Sequence, residues 1–595
     1  MKNLLFPLLL LLAPAARGPL LAQELTFAST ALLPGAGLND VAALAADGAG
    51  NLFLGGNFRG DFRYAGPDGP RLEPASDSRI AQPYLIKRRP DGTTAWARVL
   101  PEALEGDCRG RCSGEFIRLL AAPDGSVYAV AALETTFDLD PGPGQRIDSA
   151  LTILQRYSAD GELLSTYTLR GRDYNSGDER IQGLATDAAG NLYLSGIFSR
   201  QMTFSTGADS VSFDQQLGEA SFFNGFLMRI GPDGAIAWTN LLRLNLLSMP
   251  ANNIAIINNR TLHLITRARN GVDFDPGPGQ ARTEGGGQAP TALARYDLAG
   301  ALVGLRSLPG QEGFGGTGPG AWDAAGNVYS IGFVSGETAN LAPTDAPPVL
   351  VPGPGTYLAS HTAAGGLRWA VPLPNVTSLR DVVVDRGGNA VITGTIGPAG
   401  GSLPVGDDPA GFTVAAAPNR ETAFVQQYSP AGVGRAPTVV TSTRAPRTNN
   451  FVVPTALAGG PRGEVYVGGV YRGDLVFPGG VTEMGALGTQ VFLLEFGGLL
   501  SGASGPRGFA APPVVFPNPV AGGPLTVRLD RPYAEVRLTL LDARGRRLRE
   551  VVVRNNDRGR LFPPAGLPAG AYFLRVVAGG QRAALLPVWV SASAQ

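Results

Sequence analysis

The chain has almost no lysine: Lys2 and Lys87 are its only two, and the rest of its 49 cationic side chains are arginines. It has 2 histidines and 2 cysteines, and its acidic residues also number 49, so the formal net charge is zero. Each scarcity excludes something. A charge-balanced chain with only 16 % charged residues lacks the basic field that nucleic acid requires, so no nucleic-acid partner is expected. The arginine bias reads as the composition of a GC-rich genome rather than as a phosphate site. His263 and His361 fall in different parts of the chain, each inside a short apolar run, and read as strand residues rather than as a catalytic base. There is no Gly-x-Ser-x-Gly elbow, no zinc-protease helix motif and no phosphate-binding loop. No segment beyond the N-terminus offers about 18 unbroken apolar residues, so no transmembrane segment is expected in the mature chain.

The two cysteines are Cys108 and Cys112, within Asp107-Cys-Arg-Gly-Arg-Cys-Ser113. Two ligands cannot close a zinc site. In an exported chain the expectation is a small-loop disulfide, Cys108 to Cys112, with Gly110 relieving the tight turn. A redox-active pair is the alternative, and it lacks a helix to lower a thiol pKa. Export itself is read from the N-terminus. Lys2 supplies a positive end, Leu4 to Leu12 an apolar stretch and Ala22 a small residue for cleavage, which together make residues 1–23 a signal peptide. No cysteine follows it to carry a lipid anchor.

What the chain has in abundance is turn residues, Gly 82 and Pro 48, set among 44 % hydrophobic residues. They punctuate a repeat. Asp47-Gly-Ala-Gly-Asn-Leu-Phe53 returns as Asp187-Ala-Ala-Gly-Asn-Leu-Tyr193 and Asp323-Ala-Ala-Gly-Asn-Val-Tyr329. Looser copies lie at Pro123–Tyr128, Asn258–Leu262, Asp385–Val391 and Gly463–Tyr466. The units are about 62 to 68 residues apart, which is room for four strands, and one such unit cannot bury its own core. Between copies comes a second hairpin, such as Pro83–Arg88 and Thr94–Leu100 around Arg89-Pro-Asp-Gly92. The seventh unit stops after three strands, at Val491–Phe496. The orphan segment Leu25–Leu33 matches Thr94–Leu100 and is expected to supply the missing fourth.

The fold class is therefore all-β: a seven-bladed β-propeller over residues 24–498, followed by a Gly/Ser/Pro linker at 499–513 and a small C-terminal Ig-like β-sandwich at 514–595. The turns inside both hairpins are short. The connections between the hairpins are long and share the opposite face, which makes that face the place for recognition.

One motif could hold a metal. Asp138-Leu-Asp140-Pro-Gly-Pro-Gly144 returns as Asp273-Phe-Asp275-Pro-Gly-Pro-Gly279, and alternate carboxylates on an extended segment suit Ca²⁺. Against this, Pro-Gly-Pro-Gly is a rigid turn that Asp favours starting, and Val351-Pro-Gly-Pro-Gly355 keeps the turn without the acids. No other cofactor is expected. Arg59-Gly-Asp61 and Arg472-Gly-Asp474 occupy equivalent places in units one and seven and follow the repeat consensus.

Over roughly 470 residues the repeat resembles the Bacteroidetes-type secreted β-propeller (SBBP) family, a likeness that implies architecture and not activity. The last segment closely resembles the type A C-terminal sorting domain of type IX secretion, through Pro517-Asn-Pro519, the Asp542/Gly545 hairpin and Leu567-Pro-Ala-Gly570 with Tyr572. That resemblance implies the type IX machinery as a partner, then release or attachment to surface lipopolysaccharide, and hence a secreted or outer-membrane surface location. One departure is the ending, Leu586-Pro-Val-Trp-Val590 then Ser-Ala-Ser-Ala-Gln595, where the family often ends in a basic strand. Two function classes follow. The first is a non-enzymatic scaffold that binds an extracellular glycan or protein through its long-loop face. The alternative is a secreted polysaccharide hydrolase or lyase with its active site at the mouth of the channel, for which the sequence singles out no carboxylate pair.

Overall fold

The computed structural model describes residues 25–33, 39–60, 62–64, 70–72, 81–100, 102–103, 114–133, 137–138, 147–148, 152–171, 179–214, 223–246, 253–284, 291–308, 320–343, 346–406, 408–415, 421–441, 451–473, 475–477, 480–482, 489–497, 514–516, 524–541, 547–562, 567, 570–578 and 584–590. All of the secondary structure among them is β, in antiparallel sheets.

Seven sheets follow one another along the chain, each with four strands in simple up-and-down order. Sheet 1 is Ala43–Ala46, Leu52–Phe58, Gln82–Arg88 and Thr94–Val99. Sheet 2 is Gly114–Ala121, Val127–Leu133, Thr152–Tyr157 and Leu163–Gly171. Sheet 3 is Arg180–Thr186, Leu192–Phe198, Phe223–Ile230 and Ile236–Leu246, and sheet 4 is Asn253–Ile257, Thr261–Arg267, Thr291–Asp297 and Leu302–Leu308. Sheet 5 runs Gly320–Trp322, Val328–Val334, Gly355–His361 and Leu367–Leu373. Sheet 6 runs Val376–Val384, Ala390–Ile396, Thr422–Tyr428 and Thr438–Val440. Sheet 7 takes Phe451–Gly459, Val465–Arg472 and Gln490–Gly497, and its fourth strand is Thr26–Leu33 from the other end of the chain. The register sets Leu33 against Val491 and Phe27 against Phe496, which is the pairing expected of the orphan segment.

The repeated phrase folds this way because its Asp and Gly make a hairpin turn without outside help. Asp47 Oδ1 accepts the backbone N–H groups of Ala49 and Asn51 at 3.0 and 2.8 Å, and Asn51 Nδ2 donates to Asp47 Oδ2 at 2.7 Å. Gly50 sits at φ +87°, a conformation that a side chain would strain. The same three bonds recur at Asp187 and Asp323. The strands that follow are apolar on both sides. Leu192–Phe198 and Ala390–Ile396 are buried at every residue, as befits strands covered on two faces.

The core is a series of layers between neighbouring sheets. Phe53, Leu85 and Trp96 of sheet 1 meet Phe116, Val127 and Tyr157 of sheet 2. Tyr193 and Leu242 of sheet 3 meet Leu262 and Tyr296 of sheet 4, and Val391 and Val425 of sheet 6 meet Val467 and Phe492 of sheet 7. A further layer joins Leu33, Tyr466 and Leu493 of sheet 7 to Leu52, Leu54 and Ile86 of sheet 1. The first strands touch in the same succession, from sheet 1 through sheets 2, 3, 4, 5 and 6 to sheet 7, and sheet 7 touches sheet 1. Across that last junction Thr455 Oγ1 donates to the Val41 carbonyl.

The long connections are not simply loops. Most contain a two-stranded hairpin, such as Phe62–Arg63 with Arg71–Leu72, Gln201–Ser205 with Ser210–Asp214, and Gly401–Val405 with Asp408–Val414. Several fasten onto the preceding sheet. Gln201–Ser205 extends sheet 2 by pairing with Leu163–Gly171, and Val476 exchanges two backbone hydrogen bonds with Thr441 beyond sheet 6. Phe137–Asp138 pairs with Glu102–Ala103 after sheet 1. An outermost strand presents unpaired N–H and C=O groups, and these hairpins satisfy some of them. Part of the face expected to be given to recognition is thus used for assembly.

The last segment is one five-stranded antiparallel sheet of Val514–Phe516, Leu525–Leu541, Arg547–Leu561, Gly570–Ala578 and Ala584–Val590. Leu525–Leu541 is one continuous strand, with a register shift between Arg528 and Tyr533. Its apolar side chains, including Val527, Leu538, Tyr572 and Val588, share a single core cluster.

Candidate functional site

Two charged side chains on first strands interact from distant parts of the chain. Arg118 lies in the first strand of sheet 2 and Asp381 in the first strand of sheet 6. Both side chains are half-buried. Asp381 is tied to sheet 7 as well, since its Oδ2 accepts the Leu457 N–H at 2.8 Å and its Oδ1 the N–H of Val382 at 2.8 Å. Arg118 Nε donates to the Gln182 carbonyl of sheet 3 at 2.7 Å. Burial pushes the Asp381 carboxyl up to about 6, against the opposing pull of the Leu457 N–H and of Arg118. Burial likewise lowers the Arg118 guanidinium, and Asp381 restores part of it. A lone carboxyl titrating near 6 beside a guanidinium can hold a polar or charged ligand and can give or take a proton.

The turn acids are occupied by the fold. Asp187 Oδ2 accepts both the Asn191 amide and the Tyr193 hydroxyl, and Asp323 lies 3.9 Å from Arg368. Asp273 Oδ1 accepts the backbone N–H groups of Asp275 and Ala281, and Asp275 Oδ1 accepts that of Gly277. These bonds draw the Asp273 carboxyl below the usual range and account for the Asp-x-Asp-Pro-Gly-Pro-Gly motif as a turn. The equivalent Asp140, the side chain of Asp138, and Cys108 and Cys112 lie outside the described residues, so the disulfide and half of the calcium motif have no structural counterpart to examine. Asp61 and Asp474 also lie outside them. Among the described residues no group of three or more His, Cys, Asp or Glu is disposed to hold a metal ion.

Both histidines are buried strand residues. His263 Nε2 is 3.1 Å from Thr261 Oγ1, and His361 Nε2 is 3.1 Å from the Leu341 carbonyl. Burial lowers each to about 4, so both are neutral near pH 7.

A second recurring device rests on the tryptophans of the fourth strands, whose bonding into the next sheet the sequence did not reveal. At the register position opposite a strand-three residue, sheets 1, 3 and 5 carry Trp96, Trp238 and Trp369. Each indole N–H donates into the next sheet, to the carbonyls of Ala159, Leu298 and Pro430 at 3.0, 3.1 and 2.9 Å. A cation joins each indole on the same carbonyl, from Lys87, Arg229 and Arg368 respectively. The cation also lies over an aromatic ring, Phe53, Tyr193 or Tyr329, at 5.1, 6.0 and 5.7 Å from its centroid. The indole rests on a turn glycine, so that a Cβ at Gly161, Gly300 or Gly432 would come within 2.8, 2.9 and 2.7 Å of it. The appearance of tryptophan in every second unit was the available signal.

At the junction of sheets 7 and 1 this device is missing and a cleft stands in its place. Its lining includes Ser29, Thr30, Pro90, Gly92, Tyr466 and Glu495.

No family model matches the chain, and no curated protein matches it in sequence. Among solved structures, a catalytically inactive virginiamycin B lyase from Staphylococcus aureus with quinupristin aligns at 10 % identity and a TM-score of 0.33, covering 79 % of this chain and 100 % of that one. The BSP domain of a biofilm-associated protein aligns at 8 % identity and TM-score 0.12, over 83 % of this chain and 96 % of its own. Salmonella alpha-2-macroglobulin reacted with methylamine aligns at 10 % and 0.13, over 96 % and 52 %. At such scores the likenesses carry no argument about what this chain does.

Proposed function

We propose that residues 24–498 form a closed seven-bladed β-propeller that acts outside the cell as a binding scaffold, and that residues 514–595 form a small β-sandwich serving as a type IX sorting domain. Closure is supported by the succession of first-strand contacts that returns from sheet 7 to sheet 1, together with the N-terminal strand completing sheet 7. The sandwich is supported by the core shared between the two halves of Leu525–Leu541. In this reading the chain is exported through its signal peptide and the type IX machinery, then released or held on surface lipopolysaccharide.

The observation that carries the binding reading is the meeting of Arg118 and Asp381 from sheets 2 and 6. It supports a polar recognition point, suited to an extracellular glycan or protein group that offers both a hydrogen-bond donor and an acceptor. A second reading, polysaccharide cleavage, is favoured by one feature: a carboxyl raised to about 6 is suitable for proton transfer. Glycan and protein arrays probed with the mature chain and its Asp381→Asn variant test both. Binding that is lost in Asp381→Asn without any product formation supports the scaffold. Release of reducing ends or unsaturated sugars, abolished in the variant, supports the enzyme, and binding unaffected by the substitution sinks the Arg118/Asp381 site. The address is tested apart from it, by fusing residues 499–595 to a periplasm-directed reporter in a type IX-competent host. Retention in the periplasm would rule out the sorting role.

A further inference from the structure

The cleft between sheets 7 and 1 is a socket whose knob the chain does not supply. At the register shared by strands two and three, sheets 1 to 4 pair a ring with a cation: Phe53 with Lys87, Tyr128 with Arg156, Tyr193 with Arg229 and His263 with Arg295. Sheet 7 has the ring, Tyr466, but pairs it with Glu495. Opposite Glu495 on the fourth strand stands Ser29, at the position Trp96 holds opposite Lys87. Both parts of the knob are therefore exchanged, the indole for a hydroxymethyl group and the cation for a carboxylate.

The receiving half is intact. The turn Arg89-Pro90-Asp91-Gly92 corresponds to Ser158-Ala159-Asp160-Gly161, and Gly92 has φ +85° as Gly161 does. A Cβ at Gly161 would strike Trp96, whereas at Gly92 the nearest atom is Arg88 Nη2, 3.6 Å away on the same hairpin. The Pro90 carbonyl corresponds to the Ala159 carbonyl that takes an indole N–H. Tyr466 retains 6 % exposure, where Phe53, Tyr193 and Tyr329 beneath their indoles retain none. The Thr30 hydroxyl on the cleft wall has no hydrogen-bond partner among the described residues.

We infer that this socket binds an aromatic ring bearing an N–H donor and a positive charge, such as an indole carrying an ammonium group, supplied from outside the chain. The ring takes the place of Trp96 between Tyr466 and Gly92, and its N–H donates to the Pro90 carbonyl. The ammonium takes the place of the Lys87-type cation and joins Arg88 in facing Glu495, which among the described residues accepts a hydrogen bond from Ser29 Oγ at 2.7 Å. Arg88 and Arg89 also line the cleft, Arg88 facing Glu495 and Tyr466, and both are held by their own turn. Arg88 donates from Nε and Nη2 to the Gly92 carbonyl, and Arg89 from Nη1 to the Thr94 carbonyl. Glu495 sets the sign of charge preferred. This site is separate from the Arg118/Asp381 pair and does not depend on the function proposed for it.

The test is ligand-observed NMR on the mature chain with tryptamine, indole-3-acetate and acetyl-Lys-Trp-amide. Tryptamine is expected to saturate with a Kd on the order of 1 mM, as its size allows, with indole-3-acetate at least about fivefold weaker. Binding of the peptide as well identifies a polypeptide side chain as a source, and binding of tryptamine alone identifies a free amine. Ser29→Trp rebuilds the knob, so it should weaken tryptamine at least about tenfold while leaving the melting temperature unchanged or higher. Glu495→Gln should erase the preference for tryptamine over indole-3-acetate. Three results overturn the inference: no saturable binding by any probe, undiminished binding in Ser29→Trp, or a stronger affinity for indole-3-acetate. A fall in melting temperature in Ser29→Trp would show that the socket has no room for an indole.

Discussion

Two turn glycines offer a controlled measurement of what an indole knob contributes. Gly92 and Gly161 end equivalent turns, each with φ +85°. Replacing either by alanine places a side chain in the left-handed region, at a cost of about 1–2 kcal/mol. At Gly92 that is the whole cost, because the nearest atom to the new Cβ is 3.6 Å away at the end of an arginine. At Gly161 the Cβ would lie 2.8 and 2.9 Å from Trp96 Cδ2 and Cγ. The ring cannot retreat freely, since it is 9 % exposed, lies 6.0 Å from Phe53 and 6.4 Å from Tyr157, and its N–H is fixed on the Ala159 carbonyl. Overpacking of this kind costs about a further 1–3 kcal/mol. Urea unfolding should therefore show Gly161→Ala destabilised by about 1–3 kcal/mol more than Gly92→Ala, at unchanged m. Trp96→Ala should itself cost about 3–5 kcal/mol. In the Trp96→Ala background the excess at Gly161 should vanish, because the obstacle is gone. Equal effects at the two glycines, or an excess that persists without the indole, would refute the knob-and-socket reasoning.

Three other outcomes can be checked directly. His361 is fully buried and its folded pKa is depressed to about 4, so the unfolded chain binds its proton first as pH falls. Stability should decline between pH 6.5 and 4 by at most about 3 kcal/mol from this residue, and His361→Gln should flatten that limb in urea titrations. Asp381 has the opposite sign. Its folded pKa is raised, so its contribution is complete below the unfolded value and is lost as pH rises through about 6. Removing its partner with Arg118→Leu should cost about 1–3 kcal/mol more at pH 8 than at pH 5, and equal losses at the two would show that the charges do not sense one another. Mass spectrometry of the unreduced mature chain should find Cys108 and Cys112 joined, and two free thiols would exclude the disulfide.

Much of the strand plan is legible from turn chemistry alone. Asp-x-x-Gly-Asn specifies where one strand stops and the next begins, because the Asp carboxylate collects the two N–H groups that the turn frees. The turns at Asp47, Asp187 and Asp323 accordingly separate Ala43–Ala46 from Leu52–Phe58, Arg180–Thr186 from Leu192–Phe198 and Gly320–Trp322 from Val328–Val334. The hairpins inside the long connections were not legible. Strands as short as Phe62–Arg63 or Leu475–Phe477 carry no periodicity, and several owe their pairing to a neighbouring sheet. Arg118 and Asp381 gave no signal for a related reason. They come from the first strands of different sheets, and only the tertiary arrangement of sheets brings them together. The long strand Leu525–Leu541 reads as two because Arg531-Pro532 looks like a break, yet the chain stays extended through it, which Pro favours at a bulge.

The alternation of knobs explains why the cleft falls where it does. Facing residues in a layered core fit best when large meets small, and the fourth strands follow that rule along the chain: Trp96, Ser165, Trp238, Gly304, Trp369. A strict alternation needs an even number of units to return to its start. With seven sheets in succession, and the seventh against the first in the proposed ring, two neighbouring sheets must carry residues of like size, and here the seventh carries a small one where the alternation calls for a large one. The residue is Ser29, on the strand that comes from the far end of the chain. Closure by that strand gains a full register of backbone pairing with Gln490–Gly497 and buries Leu33 beside Leu493. The junction is thus held without an indole, and the socket left on sheet 1 is free to receive one from elsewhere.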